Sequence, residues 1–124
     1  MKSEKAHDVQ ERLMELLRSG EFPHVNAYRI ICMRSRGAKA RAYARIWSMP
    51  SIWQSALEIE PFYIIEVLSE HFDKLEEQRK DRVLIHELLH IPKKFSGGLV
   101  PHRCFGKKID EKRVEEIYER IKRG

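Results

Sequence analysis

The stretch that most restricts what this chain can become is Ile85-His86-Glu87-Leu88-Leu89-His90-Ile91. Val83, Leu84, Ile85, Leu88, Leu89 and Ile91 enclose the polar residues almost completely, the composition of a helix buried on most sides. Burying two histidines and a glutamate is costly unless something satisfies them. Residues four apart lie on one face of a helix, one turn from each other, so the two imidazoles can reach the same point in space. Glu87 sits about 100° further round the axis than His86, beside that point rather than on it. Glu76 and Glu77 suit the positive end of the helix dipole, and Pro92 stops the element at the other end. The expected helix has about four turns, with the polar trio in its last half.

At 124 residues, the chain has room for one domain, 1–124, with a modest core. A formal net charge of +5, with acids and bases interspersed, gives a mildly basic surface that permits a nucleic-acid partner without arguing for one. No apolar run is long enough to span a bilayer, and Met1 to His7 lacks the apolar core of a signal peptide, so no membrane is expected and the expected compartment is the cytoplasm. Two cysteines, Cys32 in an apolar run and Cys104 in a loop, make no disulfide framework and read as reduced thiols.

Ala6, Val9, Leu13, Leu16 and Leu17 recur at helical spacing before Gly20, which predicts an amphipathic first helix. Tyr28 to Met33 favours a strand, and Ser35-Arg36-Gly37 a turn. Ala42, Ala44 and Ile46 then alternate with Arg41, Tyr43, Arg45 and Trp47, the period of a strand with one solvated face, so the two runs read as a hairpin. Pro50 interrupts, and Ser51 to Glu60 fits either a short helix or an irregular crossing. Phe62 to Val67 is a third strand, placed shortly before the motif helix. A Gly-containing loop runs from Pro92 to Gly106, after which Asp110 caps a last helix with Val114, Ile117, Tyr118 and Ile121 on its apolar face.

His-Glu-x-x-His on a helix is the pattern of a zinc site with a base beside it: two imidazoles bind the metal and the glutamate works on a water. A catalytic zinc takes three protein ligands, so a third donor is needed from elsewhere. His102 is the first choice, because Pro92, Gly97, Gly98 and Pro101 allow the chain to turn back under the helix. Glu115 or Glu116 on the last helix, and Cys104, remain alternatives. A glycine and a histidine close behind the motif are absent; Lys93 stands at the third position after His90. His7, His24 and His71 fall outside any ligand spacing and read as surface or packing residues.

Tyr63 to Val67, Phe72-Asp73-Lys74-Leu75, and the block from His86 through Pro92-Lys93-Lys94-Phe95-Ser96-Gly97-Gly98-Leu99-Val100-Pro101 to His102 resemble the phage and archaeal metallopeptidases, small zincin-like proteins distantly similar to SprT-type proteases. The likeness runs from the hairpin through His102. It implies an α+β, minimal zincin-like fold: an N-terminal helix, a short three-stranded sheet, the motif helix and a C-terminal helix. It implies Zn2+ on His86, His90 and His102, with Glu87 as general base in the hydrolysis of a protein or peptide substrate. Such a substrate would lie along an edge strand, here expected at Tyr63 to Val67. Tyr63, Tyr118 and Arg103 are candidate oxyanion donors, each more often structural. The chain has no cysteine-rich ribbon of the sort some SprT-type proteins append. Two other readings stand beside this one: a zinc protein without catalysis, and a nucleic-acid module using Arg34, Arg36, Lys39, Arg41 and Arg45.

Overall fold

The computed structural model describes residues 1–104 and 107–124. Its elements run β1 (Lys2–Lys5), α1 (His7–Arg18), a 3-10 turn at Ala27–Arg29, β2 (Ile30–Arg36), β3 (Ala44–Trp47), α2 (Ser51–Leu57), β4 (Tyr63–Leu68), α3 (Ser69–Phe72), α4 (Glu77–Leu88), the short pair β5 (Arg103–Cys104) and β6 (Lys107–Lys108), and α5 (Glu111–Arg123). The fold is α+β, as expected. Among the described residues no helix is long and apolar enough to cross a membrane.

The sheet differs from the expected one in three respects. It has four strands, not three, in the order β1-β2-β4-β3. β1 is polar and wholly exposed, so nothing in its composition favours a strand. Pairing holds it: Lys2 to Lys5 run antiparallel to Arg36 to Met33, the Ser3 and Ser35 hydroxyls meet at 2.7 Å, and Glu4 pairs with Arg36. Second, β2 and β3 do not form a hairpin. β4 lies between them, parallel to β2 and antiparallel to β3. Period-two alternation reports that one face is buried but says nothing of which strand is the neighbour. Third, Tyr63 to Val67 is therefore a central strand, and the edges are β1 and β3. The run Tyr-Ile-Ile-Glu-Val-Leu hardly alternates because one face is wholly covered, at Tyr63, Ile65 and Val67, and the other covered from Glu66 to Leu68, with Ile64 exposed at its start. Glu66 is tolerated there because Ser35 Oγ, Arg45 Nε and Trp47 Nε1 all donate to its carboxylate, at 2.5, 2.5 and 2.9 Å.

The core lies between the inner sheet face and the helices. Val9, Leu13 and Leu16 of α1, Leu84, Ile85 and Leu88 of α4, and Val114, Ile117 and Tyr118 of α5 meet Ile30, Cys32, Tyr63, Ile65 and Val67. The predicted apolar faces of the first and last helices are the buried ones, and Asp110 accepts the Arg113 amide at 3.0 Å as the N-cap of α5. The ambiguous segment after Pro50 is helical, closing at Glu58 with a left-handed φ of 54°. Arg34 ties three elements, donating to Asp8 of α1 and to Asp73 just after α3.

Candidate metal centre

α4 is shorter than its sequence pattern. The α-helix closes at Leu88, and two tighter bonds follow: His90 N to Glu87 O and Ile91 N to Leu88 O, both 3.1 Å. Pro92 has no N–H and disfavours the α conformation at Ile91, so the last turn contracts toward a 3-10 form. His86 and His90 still face the same side, with ring centroids 5.3 Å apart.

The chain then doubles back. Val100 N donates to His90 O at 2.7 Å, and the Val100 carbonyl lies 2.6 Å from His90 Nδ1. Tyr63, buried in the central strand, accepts from Gly97 N at 2.9 Å and donates to Gly98 O at 2.7 Å, with Phe95 edge-on to its ring. Met49 N donates to Gly97 O at 3.1 Å, and Gln54 Nε2 donates to Met49 O and Ser96 O. This loop returns His102 to the helix, where its Nε2 is 3.2 Å from His86 Nε2. One ligand atom from each of His86, His90 and His102 lies within 4.8 Å of the others.

Three imidazoles so placed can hold a metal ion. Two nitrogens bound at about 2.05 Å to one tetrahedral ion are about 3.3 Å apart, close to the His86–His102 spacing. The Val100 carbonyl accepts only from a protonated Nδ1, which leaves the lone pair of His90 on Nε2. Burial, then repulsion from His90 and His102, lowers the His86 pKa to about 4, and burial also lowers that of His90. The neutral, ligating form is thus the favoured one. Glu87 is 8 % exposed and stands outside the trio. Burial lifts its carboxyl to about 7, and no described group donates a hydrogen bond to it. With His86 it lines a cleft of about 570 Å³ between α4, the start of α5 and the stretch from Arg41 to Ala44.

The alternative donors are elsewhere. Glu115 bonds Arg82 at 2.7 Å, and Glu116 is exposed and outside the cluster. The side chains of Cys104 and Arg103 lie outside the described residues. Tyr63 is engaged in both directions by the return loop, and Tyr118 is buried beneath the Arg82 guanidinium, 4.3 Å from its ring centroid. His24 is a packing residue whose Nε2 lies 3.2 Å from the Ile91 carbonyl. The anchoring work of Tyr63, Gln54 and the Val100 carbonyl escaped the sequence reading. Backbone acceptors carry no residue signature, and Tyr63, by sequence a candidate oxyanion donor or a structural residue, gives no sign of its partners in the loop.

Residues 1–122 match the model of a family described as "Putative phage metallopeptidase". The chain belongs to this family. No curated protein and no solved structure matches it. As a metallopeptidase-family member, the chain has in its histidine trio the one group of three or more His, Cys, Asp or Glu side chains found among the described residues that could hold a metal ion.

Gly97 gives a local test of this family member's return loop. Its φ is +94°, and a Cβ there would collide with the Gln54 amide and sit 2.7 Å from the Met49 carbonyl and 3.2 Å from Pro61 Cβ. Gly97→Ala is expected to cost about 2 kcal/mol or more of stability and to weaken metal binding, measured by urea titration and by competition with a chromogenic chelator. Unchanged values in both would show that the loop does not hold His102 in place.

Proposed function

We propose that the chain is a zinc-dependent peptidase in which His86, His90 and His102 hold the metal and Glu87 is the general base. The observation that carries this reading is Glu87 itself: a largely buried carboxyl beside three converging imidazoles, lining a cleft, with no hydrogen-bond donor among the described residues. A purely structural metal site needs ligands and no base, and a desolvated carboxyl without a hydrogen-bond donor costs stability without structural return. Bound zinc supplies polarisation of the scissile carbonyl and acidification of the attacking water. Glu87 accepts the proton of that water and hands it to the leaving amine, a task suited to a carboxyl whose pKa lies near neutrality. His90, oriented by the Val100 carbonyl, presents Nε2 rather than Nδ1 to the ion. The substrate is an extended polypeptide laid along β3, the free edge beside the cleft, where main-chain pairing tolerates many sequences.

Three of the five basic residues of the nucleic-acid module are already neutralised. Arg34, Arg36 and Arg45 are ion-paired to Asp8 and Asp73, Glu4, and Glu66 respectively. The peptidase reading is tested by elemental analysis together with cleavage of an unstructured polypeptide. The expected result is one zinc per chain and cleavage that stops on chelation and returns with zinc. Cleavage indifferent to the chelator would sink the proposal, and stoichiometric zinc without cleavage would favour a non-catalytic zinc protein.

A further inference from the structure

The cleft beside His86 and Glu87 has an apolar floor and a charged rim. Val83, Ala44 and Val114 form the floor, the last two buried. On the wall built by α4 and the segment leading into β3 stand two guanidiniums with no acid partner among the described residues. Arg41 makes no hydrogen bond, ion pair or ring contact among the described residues. Arg79 meets only a neutral group, the Tyr43 ring at 5.7 Å and its hydroxyl at 3.4 Å. By contrast Arg34, Arg45 and Arg82, the last lining the same cleft, each have a carboxylate at 3.0 Å or less. The acids lining the cleft are Glu87, Glu111 and Glu115. Glu115 is taken by Arg82, and Glu87 lines the cleft next to His86, paired with neither Arg41 nor Arg79 among the described residues. Glu111, exposed and without an ion-pair partner among the described residues, lies in the first turn of α5, where the helix dipole supplies about half a positive charge.

We propose that this cleft selects polypeptides presenting an acidic side chain, its methylene stem on Val83 and Val114 and its carboxylate between Arg41 and Arg79. A guanidinium donates two N–H groups to a carboxylate in a fixed fork, and the Tyr43 ring holds that of Arg79 in place, so little freedom is lost on binding. The selection rests on the peptidase reading for its outcome but not for its binding step. Both arginines are exposed, so the contact is screened by salt and acts on affinity and encounter more than on the chemical step.

The test uses a set of flexible peptides differing only by Glu, Gln or Lys, the substituted position being moved along the peptide. Fluorescence anisotropy measures binding to the zinc-loaded and the chelated protein, and cleavage is followed separately. At one register the Glu peptide is expected to bind about 10-fold more tightly than the Gln peptide at low salt, with Lys weakest. This advantage should shrink in salt, vanish in R41A and R79A with thermal stability unchanged, and turn toward Lys in the R41E/R79E double variant. Equal affinity for all three peptides, including no measurable binding of any, overturns the proposal, as does an advantage that survives both single variants. A charge preference in binding without cleavage by the zinc-loaded protein would sink the peptidase reading alone; cleavage without the preference would sink only this one.

Discussion

Replacing Glu87 by Gln is expected to leave one zinc on the protein while cleavage of an unstructured polypeptide falls by about 100-fold or more. Gln keeps the size and one acceptor oxygen but cannot take a proton. The same substitution should make the metal-free protein more stable at pH 8. Burial raises the Glu87 pKa from 4.5 to about 7, so the folded state binds the proton more tightly than the unfolded chain does. The associated stability is present below 4.5 and is lost as pH rises through 7, because ionisation then places an unpaired charge in a desolvated site. The difference corresponds to about 3 kcal/mol. E87Q, which does not titrate, should therefore gain about 3 kcal/mol over the chelated native chain at pH 8 and less than about 1 kcal/mol at pH 5. The lowered pKa values of His86 and His90 act in the other direction, reducing stability as pH falls below 6.5, but they are common to both proteins and cancel in the comparison. Denaturant titrations at the two pH values read the result. Equal pH dependence of the two forms would mean that Glu87 carries no desolvation penalty, and equal cleavage would remove it from the chemistry.

Removing His102 should separate the metal from the fold. Its side chain is exposed, so His102→Ala is expected to change the stability of the chelated protein by no more than about 0.5 kcal/mol. Zinc affinity should nonetheless fall by more than about 100-fold, since losing a ligand exceeds the loss caused by disturbing a residue behind one. His90→Ala differs: His90 is buried and bonded to Val100, so that variant should lose metal and soften the return loop together. Full zinc retention in H102A, with loss on substitution of Glu115 or Glu116, would transfer the third position to α5.

Much of the site was legible in residue order because its first half is local. His86, Glu87 and His90 fall within one and a half turns, and local backbone geometry, helical to Leu88 and tighter at His90, sets their relative directions. The apolar faces of α1 and α5 and the Asp110 cap are local in the same way. His102 could be named as a candidate, since glycines and prolines permit a reversal, but permission does not select a path. Selection comes from Tyr63, 34 residues before Gly97, and from Met49 and Gln54, whose contacts with the loop depend on where β4 and α2 settle. The strand pairing is likewise non-local. Alternation in residues 41–47 specified a buried face, yet whether the neighbour was β2 or β4 depended on the parallel match of Ile30 to Ser35 with Tyr63 to Leu68, which short-range periodicity does not encode. β1 carries no strand pattern and owes its conformation to the β2 edge. By itself, then, the amino-acid order determined the first, the motif and the last helices, the buried faces of the first and last, and the two imidazoles one turn apart, but left α2 open and gave no sign of α3. Tertiary packing decided the strand neighbours, the free edge at β3 and the return of His102, because hydrogen-bond partners and loop anchors dozens of residues apart are chosen by the assembled core.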